Sequence, residues 1–356
     1  MSIDYQPELC CLGLNYRTAP LAVRERFSVS RAGLVQANVA ICALPGVCEC
    51  VLLSTCNRTE IYYWSMEPEQ ARLSIMHHFF GSGAATESLS ACFYNFSCES
   101  ALEHLAAVAA GLDSMVVGET EIFGQLKDAY RAALEAGTTS TAANRTFQRI
   151  FSIGKKVRTD THITSGPTSM GAVAVQLACQ SLGELSGANV LVVGAGEIAR
   201  STARSLRSRG AESIFVANRS YDRAVALAEQ VGGRVIRFSE WVPYLEQIDI
   251  VIVSTASPAY VVSPGVLRTV QAARNGRMLF LIDLSVPRNI DPACGEIPGV
   301  TLYDVDDMQA IVADTRTRRS AQIELGLGLI RDWLLENAPD ILYRKKAAPE
   351  LLQGKI

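Results

Sequence analysis

The run "NVLVVGAGEIARSTARSLRSRGAESIFVANRS", Asn189 to Ser220, constrains the fold more than any other part of the chain. Val190 to Val193 are continuously apolar, as in a parallel strand buried on both faces. Gly194, Gly196 and Ala199 then give G-x-G-x-x-A directly before a helical stretch. The first glycine makes the turn, the second lets backbone approach a pyrophosphate, and the alanine permits close helix packing. Gly194, Ala195, Gly196, Glu197, Ile198 and Ala199 therefore read as a dinucleotide turn at the positive end of a helix. Further strands at "SIFVAN", "DIVIVSTAS" and "MLFLIDLSVP" predict a doubly wound sheet. Ser254, Thr255, Ser257 and Asp283 are expected to line its crevice.

The end of the second strand selects between cofactors. An NAD site places an Asp or Glu there for the ribose hydroxyls, whereas this chain has Asn218, Arg219 and Ser220. An arginine beside a hydroxyl suits a 2'-phosphate through a charge-assisted pair, so NADPH is expected over NADH.

Before this sheet, strand-like runs ("CCLGLNY", "VLLSTC", "IYYW") mix with helical ones ("SALEHLAAVAAGLDSMV", "EIFGQLKDAYRAALEAG"), which predicts an α+β domain. Alanine keeps the helix around Leu102 to Ala110 slim, so a close neighbour is expected there. After the sheet, Asp304 to Ala338 reads as one long amphipathic helix. The expected domains are a catalytic and substrate domain at 1–165, an NADPH-binding Rossmann domain with its connecting segment at 166–303, a spinal helix at 304–338 and a short tail at 339–356.

Cys56 sits at the polar end of the apolar run Val51 to Leu53, with Arg58 two positions later. The ten cysteines follow no zinc spacing, and the chain has neither a long apolar span nor a secretory start, so a cytoplasmic protein with reduced thiols is expected. A net charge of -3 excludes a generally basic nucleic-acid binder. Local basic clusters remain, at Arg145, Arg149, Lys155, Lys156 and Arg158, and again at Arg316, Arg318, Arg319 and Arg331.

A thiol near a cleft and a hydride donor belong together chemically. A carboxylate is too poor a hydride acceptor, but an activated acyl group captured as a thioester is a good one, and its product is an aldehyde. At an ordinary pKa of about 8.5 only a few per cent of such a thiol is ionised near neutrality, so Arg58 or a helix end would assist.

The chain resembles the glutamyl-tRNA reductases. The likeness runs through "GLNYRTAPLAVRE" (Gly13 to Glu25), "LSTCNRTEIY" (Leu53 to Tyr62), "HLAAVAAGLDSMVVGETEIFGQLKDAY" (His104 to Tyr130), "FSIGKKVRTDT", "VGAGEIA", "ANRS" and "DLSVPRNIDP". It implies NADPH-dependent reduction of glutamyl-tRNA(Glu) to glutamate-1-semialdehyde through a cysteine thioester, in tetrapyrrole biosynthesis. It puts the nucleophile on Cys56 and the active-site histidine on His104. Substrate contacts fall on Thr55, Asn57, Arg58, Ser114, Glu119, Thr120, Glu121 and Gln125. It further implies the downstream glutamate-1-semialdehyde aminomutase as a partner, no metal and no membrane. Alternatives are a reductase of another aminoacyl-tRNA or carrier-bound acyl group, and a silent homologue that regulates or binds tRNA.

Three positions depart from the family pattern. Tyr16 replaces a histidine, and Thr120 with Glu121 replaces a proline and glutamine, adding a carboxylate where an acidic substrate is expected. The chain also stops where the family continues into a helical dimerisation domain, which leaves its dimer unassigned.

Overall fold

The computed structural model describes residues 7–80, 89–165, 169–308, 312, 317 and 319–342. The first part is built on a four-stranded antiparallel sheet in the order β2-β3-β1-β4, formed by β1 (Glu8–Asn15), β2 (Glu49–Ser54), β3 (Arg58–Ser65) and β4 (Tyr94–Ser97). Its helices are α1 (Leu21–Phe27), α2 (Leu34–Cys42), α3 (Pro68–Phe80), α4 (Cys98–Ala110), α5 (Glu121–Glu135) and α6 (Thr141–Asp160). Both faces of the sheet are covered. Leu9, Cys11, Val51, Leu53, Tyr62 and Trp64 pack towards α4 and α6, and Cys10, Leu12, Cys50, Leu52, Ile61 and Tyr63 towards α2 and α3. Two buried faces explain why these strands read as continuous apolar runs. The slim α4 does have its close neighbour: a Cβ added to Gly154 of α6 would stand 3.0 Å from the Ala109 Cβ.

The second part is a six-stranded parallel sheet in the order β10-β9-β8-β5-β6-β7. Helix α7 (Met170–Leu182) leads into β5 (Asn189–Val193), α8 (Glu197–Ser208), β6 (Ser213–Asn218), α9 (Tyr221–Val231) and β7 (Arg234–Arg237). Then follow α10 (Trp241–Tyr244), β8 (Ile250–Val253), α11 (Pro264–Ala273), β9 (Leu279–Asp283) and β10 (Val300–Tyr303). The order reverses between β5 and β8, so a crevice opens at their C-terminal ends.

The last helix differs from its expected span. Residues 304–308 form a turn, and α12 runs Ser320–Leu342 with Pro339 inside it. The Asp304 carboxylate accepts the Asp306 N–H at 2.9 Å, and the Asp307 carboxylate accepts the Asp304 N–H at 2.7 Å. Such local aspartate bonds compete with the helix ladder. Helix α12 packs on α4 and α6 through Ile330, Ala338 and Ile341.

Candidate active site

Ser54 pairs with Thr59 across the β2–β3 hairpin, which leaves Thr55 to Arg58 as a tight turn with Cys56 at its tip. The Thr55 N–H donates to the Arg58 carbonyl at 2.8 Å, and Thr55 Oγ1 accepts the N–H groups of Asn57 and Arg58 at 3.1 and 3.2 Å. A single threonine thereby closes the turn from both sides. Cys56 is half-buried. Burial, followed by the charges of Glu119 and Glu121, pushes its thiol up to about 12.

Behind the hairpin lies a buried ionic network. Arg58 Nη1 is 2.6 Å from Glu60 Oε1, while its Nη2 donates to the Asp113 carbonyl at 2.6 Å and to Asp113 Oδ2 at 3.0 Å. Tyr62, Tyr94 and His104 Nε2 reach the same Glu60 carboxylate at 2.6, 2.5 and 2.8 Å. Burial pushes Glu60 up, but Arg58, His104 and the tyrosine hydrogen bond outweigh it and hold the carboxyl well below the usual range. A full complement of partners lets two charges sit in an apolar core.

The crevice of the second sheet opens into a cleft of about 710 Å³. Its lining joins Ala195, Gly196, Glu197, Ile198 and Asn218 to Thr120, Glu121, Gln125 and Ser54 of the first part. A cavity of about 470 Å³ extends it past Arg219, Ser220, Arg223 and Thr255. These residues fit NADPH. Gly194, at φ +124°, allows no side chain, since a Cβ would stand 2.0 Å from the Ser254 carbonyl oxygen. A Cβ on Gly196 would meet no atom within 4 Å, so backbone there faces open space, and no side chain caps α8. Among the described residues neither Arg219 nor Arg223 pairs with a carboxylate, which leaves two cations where a 2'-phosphate would lie.

The expected site residues divide into three groups. Thr120, Glu121 and Gln125 share the cleft with the glycine turn. Thr55, Cys56 and Asn57 form the hairpin tip just beyond Ser54 and are not among the lining residues. Arg58, His104, Ser114 and Glu119 lie inside. Ser114 is 2% exposed, and Glu119 is pushed up to about 7 by burial and then by Glu121, against the opposing pull of the Ser114 side chain beside it. Glu121 turns towards the second sheet, where its Oε1 accepts the Ser201 hydroxyl of α8 at 3.3 Å. Tyr16 takes a packing role: its N–H donates to the Asn57 carbonyl at 2.9 Å and its hydroxyl reaches the Ser114 carbonyl at 3.5 Å.

Residues 12–161 match the family description "Glutamyl-tRNAGlu reductase, N-terminal domain", and residues 176–311 match "Shikimate / quinate 5-dehydrogenase". The glutamyl-tRNA reductase of Akkermansia muciniphila is 50% identical over 332 residues, covering 93% of this chain and 98% of its own length. That of Desulforudis audaxviator is 44% identical, covering 97% of this chain and 79% of its own. The chain belongs to the glutamyl-tRNA reductase family. A solved reductase from Methanopyrus kandleri is 33% identical, with a TM-score of 0.48, and covers 92% of this chain and 79% of that one. Membership bears out the expected oxidoreductase activity and its NADPH dependence.

Several residues important to this reductase fold escaped the sequence reading. Glu60, Asp113, Tyr94 and Arg24 carry the network and the hairpin, yet only Glu60 leaves a trace, as the i+2 neighbour of Arg58 on one strand face. Asp283, expected in the crevice, is instead 1% exposed and accepts the N–H groups of Ser285, Asn289 and Ile290 at 3.0, 2.7 and 2.7 Å. Those donors draw the carboxylate into the loop after β9. The basic clusters also change meaning. Arg145 donates to the Ile341 carbonyl at 2.9 Å, Arg149 lies 3.7 Å from Asp340, and Arg319 is buried against the carbonyls of Val117, Ile163 and Ser165. Arg316 and Arg318 lie outside the described residues.

Proposed function

We propose that this chain reduces the glutamyl group of glutamyl-tRNA(Glu) to glutamate-1-semialdehyde through a thioester on Cys56. The observation that carries the reading is the continuous cleft from the Gly196 turn to Gln125 and Ser54, two residues from Cys56. The Cys56 sulfur bonds the ester carbonyl carbon, and the bond from that carbon to the ribose oxygen breaks as the oxygen takes a proton. NADPH, when bound, supplies the hydride that replaces sulfur on that carbon, releasing the aldehyde and the thiol. Gly194 to Ala199 would hold its pyrophosphate, and Asn218, Arg219, Ser220 and Arg223 its adenosine end.

The chain's own groups set the order of events. The Glu119 and Glu121 carboxylates oppose a Cys56 thiolate, and the α-ammonium of a glutamyl ester would offset them on binding. Ser114, buried beside Glu119, and Gln125, on the cleft wall, are the polar contacts for the aminoacyl group. Thr55 and Asn57 shape the turn that presents the sulfur. Arg58, fully engaged by Glu60 and Asp113, and His104, bonded to Glu60, support that turn from behind. We further infer a cytoplasmic setting, in keeping with ten free thiols, and delivery of the aldehyde to glutamate-1-semialdehyde aminomutase. No helix among the described residues is long and apolar enough to cross a membrane.

The decisive assay mixes the purified protein with NADPH and a panel of charged tRNAs and follows aldehyde formation. Product from glutamyl-tRNA alone is expected. In the absence of NADPH an acyl adduct is expected on Cys56, released by hydroxylamine and lost in Cys56→Ser. Recovery of the adduct on Cys50 or Cys92 would overturn the assignment.

A further inference from the structure

Arg24 is buried on α1 and joins the two parts of the molecule. Its Nη1 donates to the Cys56 carbonyl at 2.6 Å and reaches Asn57 Oδ1 at 3.5 Å, while its Nε donates to the Ala19 carbonyl at 3.2 Å. The other edge of the guanidinium pairs with Asp306, in the turn that follows β10 of the parallel sheet. Asp306 Oδ2 also accepts the Leu21 N–H at 3.0 Å, at the start of α1. One position along, Glu25 takes three bonds from Arg288, which lies in the loop after β9: backbone N–H at 2.6 Å, Nε at 2.9 Å and Nη2 at 2.8 Å. The cofactor-binding part thus grips a seven-residue helix from two of its loops, and that helix holds the backbone of the nucleophile.

We propose that Arg24 is a positioning residue that couples the Cys56 turn to the cofactor-binding part, with Asp306 and the Glu25–Arg288 pair as its anchors. A planar guanidinium offers two edges at a fixed angle, so one side chain can hold a carbonyl on one side and a carboxylate on the other. An ammonium on a flexible stem cannot reproduce both. Fixing the Cys56 carbonyl fixes the peptide plane next to the reacting carbon's future attachment point, and tying the same group to Asp306 places that plane relative to the cleft. Acyl capture needs the turn alone, whereas hydride transfer needs the turn and the cofactor part in register. The Arg24–Asp306 link therefore acts chiefly on the second step.

The inference rests on the thioester reading for its kinetic test and has a second test that does not. In single turnover, Asp306→Asn is expected to leave acylation of Cys56 by glutamyl-tRNA without NADPH within about twofold, and to slow NADPH-dependent aldehyde release at least about tenfold. Arg24→Lys is expected to slow both steps, and adding Asp306→Asn to it should change reduction little, because the link is already broken. Arg288→Gln, which leaves Arg24 paired, is the milder variant and is expected to show the same split with a smaller loss.

Hydrogen exchange supplies the substrate-free test. Asp306→Asn is expected to speed exchange of the Thr55 to Arg58 amides several-fold, although Asp306 belongs to the other part of the molecule. Unchanged exchange at that turn, or equal loss of acylation and reduction, overturns the coupling. A wild-type protein that forms no Cys56 adduct at all would sink the thioester reading instead, and the exchange measurement would still decide the role of Arg24.

Discussion

Arg58 Nη1 stands 2.6 Å from Glu60 Oε1, both side chains are at most 1% exposed, and the pair lies directly behind the turn that carries Cys56. Removing the Glu60 charge would leave buried Arg58 with Asp113 alone and weaken the acceptor that Tyr62, Tyr94 and His104 share. Glu60→Gln is expected to cost about 3 to 5 kcal/mol in urea unfolding. The sign of its pH dependence follows from a folded-state carboxyl held below its ordinary range: the stabilisation is present above that range and is lost as pH falls through the folded value. The variant should therefore lose the part of the acid-induced decline that Glu60 contributes. Urea midpoints measured at several pH values would check this, and parallel curves for the two proteins would count against the pair.

Glu119 has the opposite sign. Its carboxyl is pushed up to about 7, so its ionisation costs stability as pH rises from the ordinary carboxylate range through neutrality. Glu119→Gln should gain thermal stability relative to wild type across that window. It should also speed alkylation of Cys56 by iodoacetamide at pH 8, by roughly three- to tenfold, because one charge opposing the thiolate is gone. Peptide mass spectrometry measures the rate at Cys56, and an unchanged rate would separate Glu119 from the thiol.

Arg219 and Arg223 lie on one cavity with Asn218 and Ser220. If they hold a 2'-phosphate, Arg219→Ala weakens NADPH binding by about 1 to 3 kcal/mol and leaves NADH nearly unaffected. Titration of both cofactors against the variant gives the answer. Equal losses would place the arginine elsewhere.

Lys155 and Lys156 are exposed on α6, in contrast to Arg145 and Arg149, which are engaged by α12. Lys155→Ala with Lys156→Ala is expected to weaken glutamyl-tRNA binding and to flatten its salt dependence by about one counterion per lost phosphate contact. Hydrolysis of a small glutamyl thioester should be retained. A salt slope identical to wild type would exclude these lysines from the carrier's binding surface.

Much of this architecture is local and was legible in order along the chain. The Val190 to Val193 run, the glycine turn and the change from continuous to helical periodicity identify the parallel sheet, because a strand covered on both faces has no polar side to show. Strands β7 and β10 are edge strands of four residues each, only one residue of each is fully buried, and neither carries enough apolar pattern to declare itself. The Asp304 turn was hidden for a related reason, since a side-chain bond to nearby backbone leaves hydrophobic spacing undisturbed.

The composition of the site was likewise divided between the two levels. Cys56, Arg58 and the Gly194 turn announce themselves by residue type in a short context, because their chemistry depends on near neighbours. What Arg58 touches and how Arg24 comes to hold Cys56 depend on contacts between residues up to 282 positions apart, and Asp283 turns inward because the loop after β9 closes around it. A buried charge is placed by whichever partners can satisfy it, and those partners meet only in the folded chain: within the first part for Arg58, and across the two parts for Arg24. Sequence alone determined which chemical groups this protein has for thioester reduction; the tertiary structure decided which of them face the cleft and which hold it in place.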